Sequence, residues 1–94
     1  MASSKEYRDY VLEQCELLVA RAMMGEFLLY YKDKLIGGIY DNRLLLKPTK
    51  TLLAQVANPI YAVPYDGAKK MVEVENLEDK ELLKTLIESV YLGL

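Results

Sequence analysis

A chain of 94 residues, 52% of them hydrophobic and 28% charged, is long enough for one hydrophobic core and too short for two, so residues 1–94 are expected to form a single domain. Histidine is absent and cysteine occurs once, at Cys15, which removes the commonest general base and metal ligand, any internal disulfide and any cysteine-built zinc site. The formal charge of −2 is unevenly spread: residues 1–20 hold 2 basic and 4 acidic side chains, residues 21–70 hold 8 and 4, and residues 71–94 hold 2 and 6, so a basic middle lies between acidic ends.

Ser3 followed by Glu6 forms a capping-box pattern, and Tyr7, Val11, Cys15 and Leu18 recur at helical spacing, which predicts a first helix over residues 4–19. From Gly25 the pattern changes to strands, over residues 26–32, 35–40 and 44–47, with turns at Asp33-Lys34 and Asp41-Asn42. Pro48 ends the third strand, and Thr49 to Val56 reads as a short helix before Asn58-Pro59. Ile60 to Lys70, with Pro64 and Asp66-Gly67, reads as an irregular edge segment before a strand over residues 71–75. Asn76 is placed to cap a last helix whose apolar stripe is Leu82, Leu83, Leu86, Ile87 and Val90. The expected fold class is α+β: a two-layer antiparallel sheet, made of a three-stranded meander and one or two further strands, packed with helices.

Strand alternation puts Phe27, Leu29 and Tyr31 on one face of the sheet and Leu28 and Tyr30 on the other, so both faces need cover. The first and last helices would cover one. For the other, either loops and the short middle helix suffice, or a second copy of the chain makes a homodimer.

Gly37-Gly38 leads into a strand where a phosphate cradle would need a helix, so close backbone packing or a bulge is expected there. Glu73 and Glu75 share a strand face as paired carboxylates could, yet with Val72 and Val74 opposite they read as the wet side of an edge strand. Cys15, on the apolar stripe with Glu16 beside it, reads as a core thiol. The eight tyrosines, interleaved with lysines, suggest a base-stacking platform, but an RNA-recognition motif begins with a strand and its signature is missing. Arg21, Arg43, Lys47 and Lys50 flank the meander and are the candidate interaction residues, either as an anionic contact or as solvated surface charge.

The run Arg21-Ala22-Met23-Met24-Gly25-Glu26-Phe27-Leu28-Leu29-Tyr30-Tyr31, then Gly37-Gly38-Ile39-Tyr40-Asp41-Asn42-Arg43-Leu44-Leu45-Leu46-Lys47-Pro48-Thr49, and finally Val63-Pro64-Tyr65 and Met71, resembles the N-terminal domain of the TfoX/Sxy competence regulators. The resemblance covers nearly the whole chain. It implies a two-layer fold of the secretion-chaperone-like type and a bacterial origin. Full-length regulators of that family join this domain to a C-terminal one and promote transcription of DNA-uptake genes together with a cyclic-AMP receptor protein. With the chain ending at Leu94, the resemblance implies a stand-alone version, and it supplies no catalytic residues to carry over.

The expectation is a non-enzymatic regulatory or adaptor domain that binds another protein, with no cofactor and no metal. No apolar run approaches the ~20 residues of a bilayer span and no signal peptide is evident, so a cytoplasmic location without membrane contact is expected. A nucleic-acid-associated domain using the basic middle is the alternative, disfavoured by the acidic ends. A subunit that completes an active site only with a partner is the other.

Overall fold

The structure is a computed structural model that describes residues 2–94. Its element order is α1 (Lys5–Gln14), β1 (Leu18–Met23), β2 (Glu26–Tyr31), β3 (Lys34–Ile39), β4 (Leu44–Leu46), α2 (Lys50–Leu53), β5 (Ile60–Ala62), β6 (Met71–Val74) and α3 (Lys80–Leu92). The strands form one antiparallel sheet in the order β1-β2-β3-β4-β6-β5. The α+β class is as the sequence indicates. The meander has four strands where three were expected, and β5 and β6 add two more.

The extra strand comes from the end of the expected first helix. α1 stops at Gln14, and Leu17, at φ 71°, turns the chain into β1. Leu18 satisfies both the helical repeat of Val11 and Cys15 and the inward face of a strand, so spacing alone could not separate the two. The helix is also capped one residue later than the capping box indicates. Ser4 Oγ accepts from the Tyr7 N–H at 3.0 Å, because Ser3 is engaged elsewhere: its N–H donates to the Gly25 carbonyl at 2.9 Å and its hydroxyl donates to Glu26 Oε1 at 2.5 Å.

Three two-residue turns make the meander tight. Met24-Gly25, Lys32-Asp33 and Asp41-Asn42 all have positive φ at both central residues, as hairpins of type I′ require. The last is closed on both sides, with Tyr40 and Arg43 exchanging N–H to carbonyl bonds of 2.9 and 3.1 Å. The N-terminal segment ties two of these turns together. Ser4 N–H donates to Asn42 Oδ1 at 2.8 Å, Asn42 N–H donates to Ser3 Oγ at 3.0 Å, and Glu26 accepts from the Asp41 N–H.

Directly paired residues share a face, so the register defines two surfaces. The row Ala22, Phe27, Ile39, Leu44 and Val74, and the row Ala20, Leu29, Gly37, Leu46 and Val72, point inward. The inner face meets Val11 of α1, Leu52 of α2 and Leu83, Leu86, Ile87 and Val90 of α3 in one continuous core. Leu82 departs from the expected stripe and is 43% exposed. Asp79, and not Asn76, caps α3, accepting from the Leu82 N–H at 3.0 Å, while Asn76 accepts from the Glu78 N–H in a local turn.

Gly37 and Gly38 do mark a bulge and close packing. Leu29 pairs with Gly37 but Tyr30 pairs with Leu35, which leaves Ile36 as the extra residue, turned into the core. A Cβ on Gly37 would lie 2.1 Å from the Leu45 carbonyl oxygen, and one on Gly38 would lie 2.6 Å from the Tyr40 ring. No helix among the described residues is long and apolar enough to cross a membrane.

Candidate functional site

All three helices pack on the inner face, so the short middle helix does not cover the other side as one of the two expectations held. The outer face carries Val19, Arg21, Leu28, Tyr30 and Leu35. Val19 is 59% exposed and Leu28, Tyr30 and Leu35 are half-buried. One row crosses the whole sheet on this side: Arg21, Leu28, Gly38, Leu45, Glu73 and Ile60. Its middle is covered. The Tyr40 ring folds back over Gly38, Tyr65 of the loop between β5 and β6 lies 6.3 Å from it, and Leu45 is fully buried. Burial, then the neighbouring Tyr65 and Glu26, push the Tyr40 hydroxyl above its ordinary pKa.

Where that loop, Val63 to Lys70, faces β2 and β3, it leaves an open groove of about 440 Å³. The floor and walls are largely apolar, with Leu28, Leu35, Pro48, Pro64 and Met71 among them, and the charged groups are Lys47, Lys69 and Lys70. No acidic residue lines the groove. The Lys70 ammonium sits 4.1 Å from the centre of the Tyr61 ring, and the ion pairs among the described residues, Arg8–Asp9 and Lys32–Glu88, involve none of these three lysines.

Of the four basic residues singled out from sequence, the structure puts only Lys47 in this groove. Arg21 borders a separate depression with Val19, Tyr30 and Lys32 on the β1 side. Arg43 sits at the β3–β4 turn, where its Nε donates to the Tyr40 carbonyl at 3.3 Å, and Lys50 opens α2. Lys69, Lys70 and Tyr65 went unrecognised because they lie in a stretch read as irregular. The signal available was the Lys-Lys pair one step before a strand.

A second concavity, of about 470 Å³, opens beside Cys15, Tyr31, Lys84 and Glu88. The Tyr31 hydroxyl donates to Glu88 Oε1 at 2.5 Å, and Lys32 Nζ lies 3.5 Å from the same carboxylate. That hydrogen bond, followed by burial, pushes the Tyr31 hydroxyl up to about 12. The same bond holds the Glu88 carboxyl below its ordinary value against the opposing effect of burial, with help from Lys32. Cys15 is 4% exposed and its Sγ lies 3.4 Å from the Glu16 carbonyl. Burial pushes the thiol up, with Lys84 opposing, so it is held as the protonated, weakly nucleophilic form. These contacts dock α3 on β2.

Glu73 and Glu75 do not sit on an edge strand, since β6 lies between β4 and β5; Glu73 is half-buried opposite Leu45 and Ile60, and Glu75 is exposed beyond the strand end. Among the described residues no three acidic or cysteine side chains are grouped as a metal site would need.

No family model matches the sequence, and no solved structure matches it. Among curated proteins, an "uncharacterized 12.7 kDa protein in trpE 5′region" of Spirochaeta aurantia is 40% identical over a 73-residue alignment that covers 73% of this chain. The chain spans about 63% of that relative's length.

Proposed function

We propose that this chain is a non-enzymatic regulatory or adaptor domain that works by binding another protein through the outer face of its sheet. The observation that carries the reading is the pairing of a helix-covered inner face with an outer face where exposed Val19 and half-buried Leu28, Tyr30 and Leu35 adjoin a lysine-rimmed groove. Apolar side chains grouped beside uncompensated charge suit a surface that is covered in a complex. The resemblance to the TfoX/Sxy N-terminal domain points the same way, toward a cytoplasmic bacterial regulator with a secretion-chaperone-like fold.

The test is affinity. A partner captured on the wild-type domain and then purified is titrated against wild type, against Val19→Asp/Tyr65→Asp on the outer face, and against Lys84→Glu on α3. All three replaced positions are exposed. The proposal requires at least a tenfold loss with the outer-face pair and little change with Lys84→Glu. The reverse pattern contradicts it.

Self-association belongs to the same reading, since a second copy would also cover the outer face. Light scattering over a wide concentration range that returns a monomer mass throughout removes the homodimer and leaves a different protein as the partner.

A further inference from the structure

The groove beside Lys47, Lys69 and Lys70 has a chemistry specific enough to say what kind of segment fills it. The domain carries a net charge of −2, yet this groove is lined by three lysines and no acidic residue. None of the three belongs to an ion pair among the described residues. Lys47 leaves the end of β4, while Lys69 comes from the opposite wall, at the end of the loop leading into β6; Lys70 follows it, with its ammonium over the Tyr61 ring just outside the groove. Cationic groups on both sides of an apolar floor complement a ligand with apolar groups at its centre and negative charge at its margins.

The floor selects the class of ligand further. Leu28, Leu35, Pro48, Pro64 and Met71 offer aliphatic and proline surface, which accepts apolar side chains. A base-stacking track needs successive open aromatic faces, and of the two tyrosines at the groove Tyr40 is only 6% exposed, held against Gly38, which leaves Tyr65 as a single open ring. Arg21, Arg43 and Lys50, which would extend a track for a phosphate backbone, do not line the groove. At about 440 Å³, and open on one side, the groove has room for a few side chains of a bound segment.

We infer that this groove is a docking site for an acidic peptide segment of a partner protein, whose apolar side chains seat on Leu28, Leu35 and Met71 while its carboxylates meet Lys47 and Lys69, with Lys70 adding positive charge at the margin. The inference deepens the protein-binding reading above and rests on it. It names the partner by chemistry: short, acidic and punctuated by apolar residues.

The experiment uses isotope-labelled full chain and three synthetic octapeptides in amide NMR titrations. The first alternates leucine with glutamate, the second replaces each glutamate with glutamine, and the third keeps the glutamates and replaces each leucine with serine. The expected result is saturable binding of the first peptide, with the largest shifts at Leu28, Leu35, Lys47, Lys69 and Lys70. The other two peptides should bind at least tenfold more weakly. Lys69→Glu/Lys70→Glu, at exposed positions, should lower affinity for the first peptide at least tenfold, whereas Arg43→Glu should leave it within twofold. Equal binding of the glutamine peptide overturns the charge argument, and shifts centred elsewhere overturn the site. Absence of binding by all three at millimolar concentration overturns the peptide proposal. Tighter binding of a single-stranded octanucleotide in the groove overturns it in favour of nucleic acid. In each of these cases the outer-face affinity test stands by itself, so the broader protein-binding reading is judged separately.

Discussion

Tyr31 illustrates how much one residue depends on a partner far along the chain. Alternation along β2 indicates that Tyr31 faces inward, but nothing near it announces that its hydroxyl will meet Glu88, 57 positions later. Tyr31→Phe removes a hydrogen bond to a carboxylate that still keeps Lys32 and partial solvent, so a loss of about 1 kcal/mol is expected in urea unfolding. The pair also sets a pH dependence of known sign. Because the Tyr31 pKa is raised in the folded state, its contribution is fully present below the unfolded value of about 10 and is lost as pH rises from there toward about 12. Glu88 is lowered, so its contribution is present above its ordinary pKa and is lost as pH falls through the folded value. Unfolding midpoints measured from pH 9 to 12 should fall less steeply in Tyr31→Phe than in wild type. A different residue-scale feature is Leu17, 66% exposed and held at φ 71°, a conformation glycine adopts without a Cβ clash. Leu17→Gly should therefore stabilise by about 1 kcal/mol, read as a rise in melting temperature.

At the scale of elements, the sequence was legible wherever one period was unambiguous. Val72 and Val74 alternate with Glu73, the stripe from Leu83 to Val90 repeats at helical spacing, and Asp41-Asn42 is a turn on sight. It was illegible at residues 15–23, where Leu18 suits both a helix and a strand and where no glycine or proline marks the break that Leu17 makes. Helix α3 gives a contrast that tests the facing directly. Leu86 is 6% exposed in the core, so Leu86→Asp should cost several kcal/mol and unfold the domain. Leu82, one helical turn earlier and 43% exposed in the first turn, should tolerate aspartate within about 1 kcal/mol, because a negative charge near a helix N-terminus is favourable. Similar destabilisation by both substitutions would show that α3 is rotated. In the sheet, Gly38→Ala forces a methyl into the Tyr40 ring and the Phe27 carbonyl, and should cost roughly 1–3 kcal/mol while displacing the ring from the outer face. Near-ultraviolet circular dichroism would report that displacement.

For the whole molecule, the uneven charge seen in the sequence acquires a place. The basic middle segment does not gather into one patch: Lys47 joins Lys69 and Lys70 at the groove, while Arg21, Arg43 and Lys50 are spread over other parts of the surface. Linear charge counts cannot anticipate such sorting, because β4 and the β5–β6 loop meet only through the strand order β4-β6-β5. The two-sided apolar character of β2 was legible, and so was the need for cover. That all three helices would choose the same side was not, since α2 is only four residues long and has one fully buried side chain, Leu52, with Leu53 partly buried beside it. Whether a protein partner binds on the side that no helix covers can be read by photo-cross-linking in living cells. A photoreactive side chain is placed in turn at Val19 and Tyr65 on the outer face, and at Glu81 and Thr85 on the solvent side of α3, all exposed positions. One discrete adduct shared by Val19 and Tyr65 and absent from Glu81 and Thr85 is expected. Adducts confined to the α3 positions would contradict it.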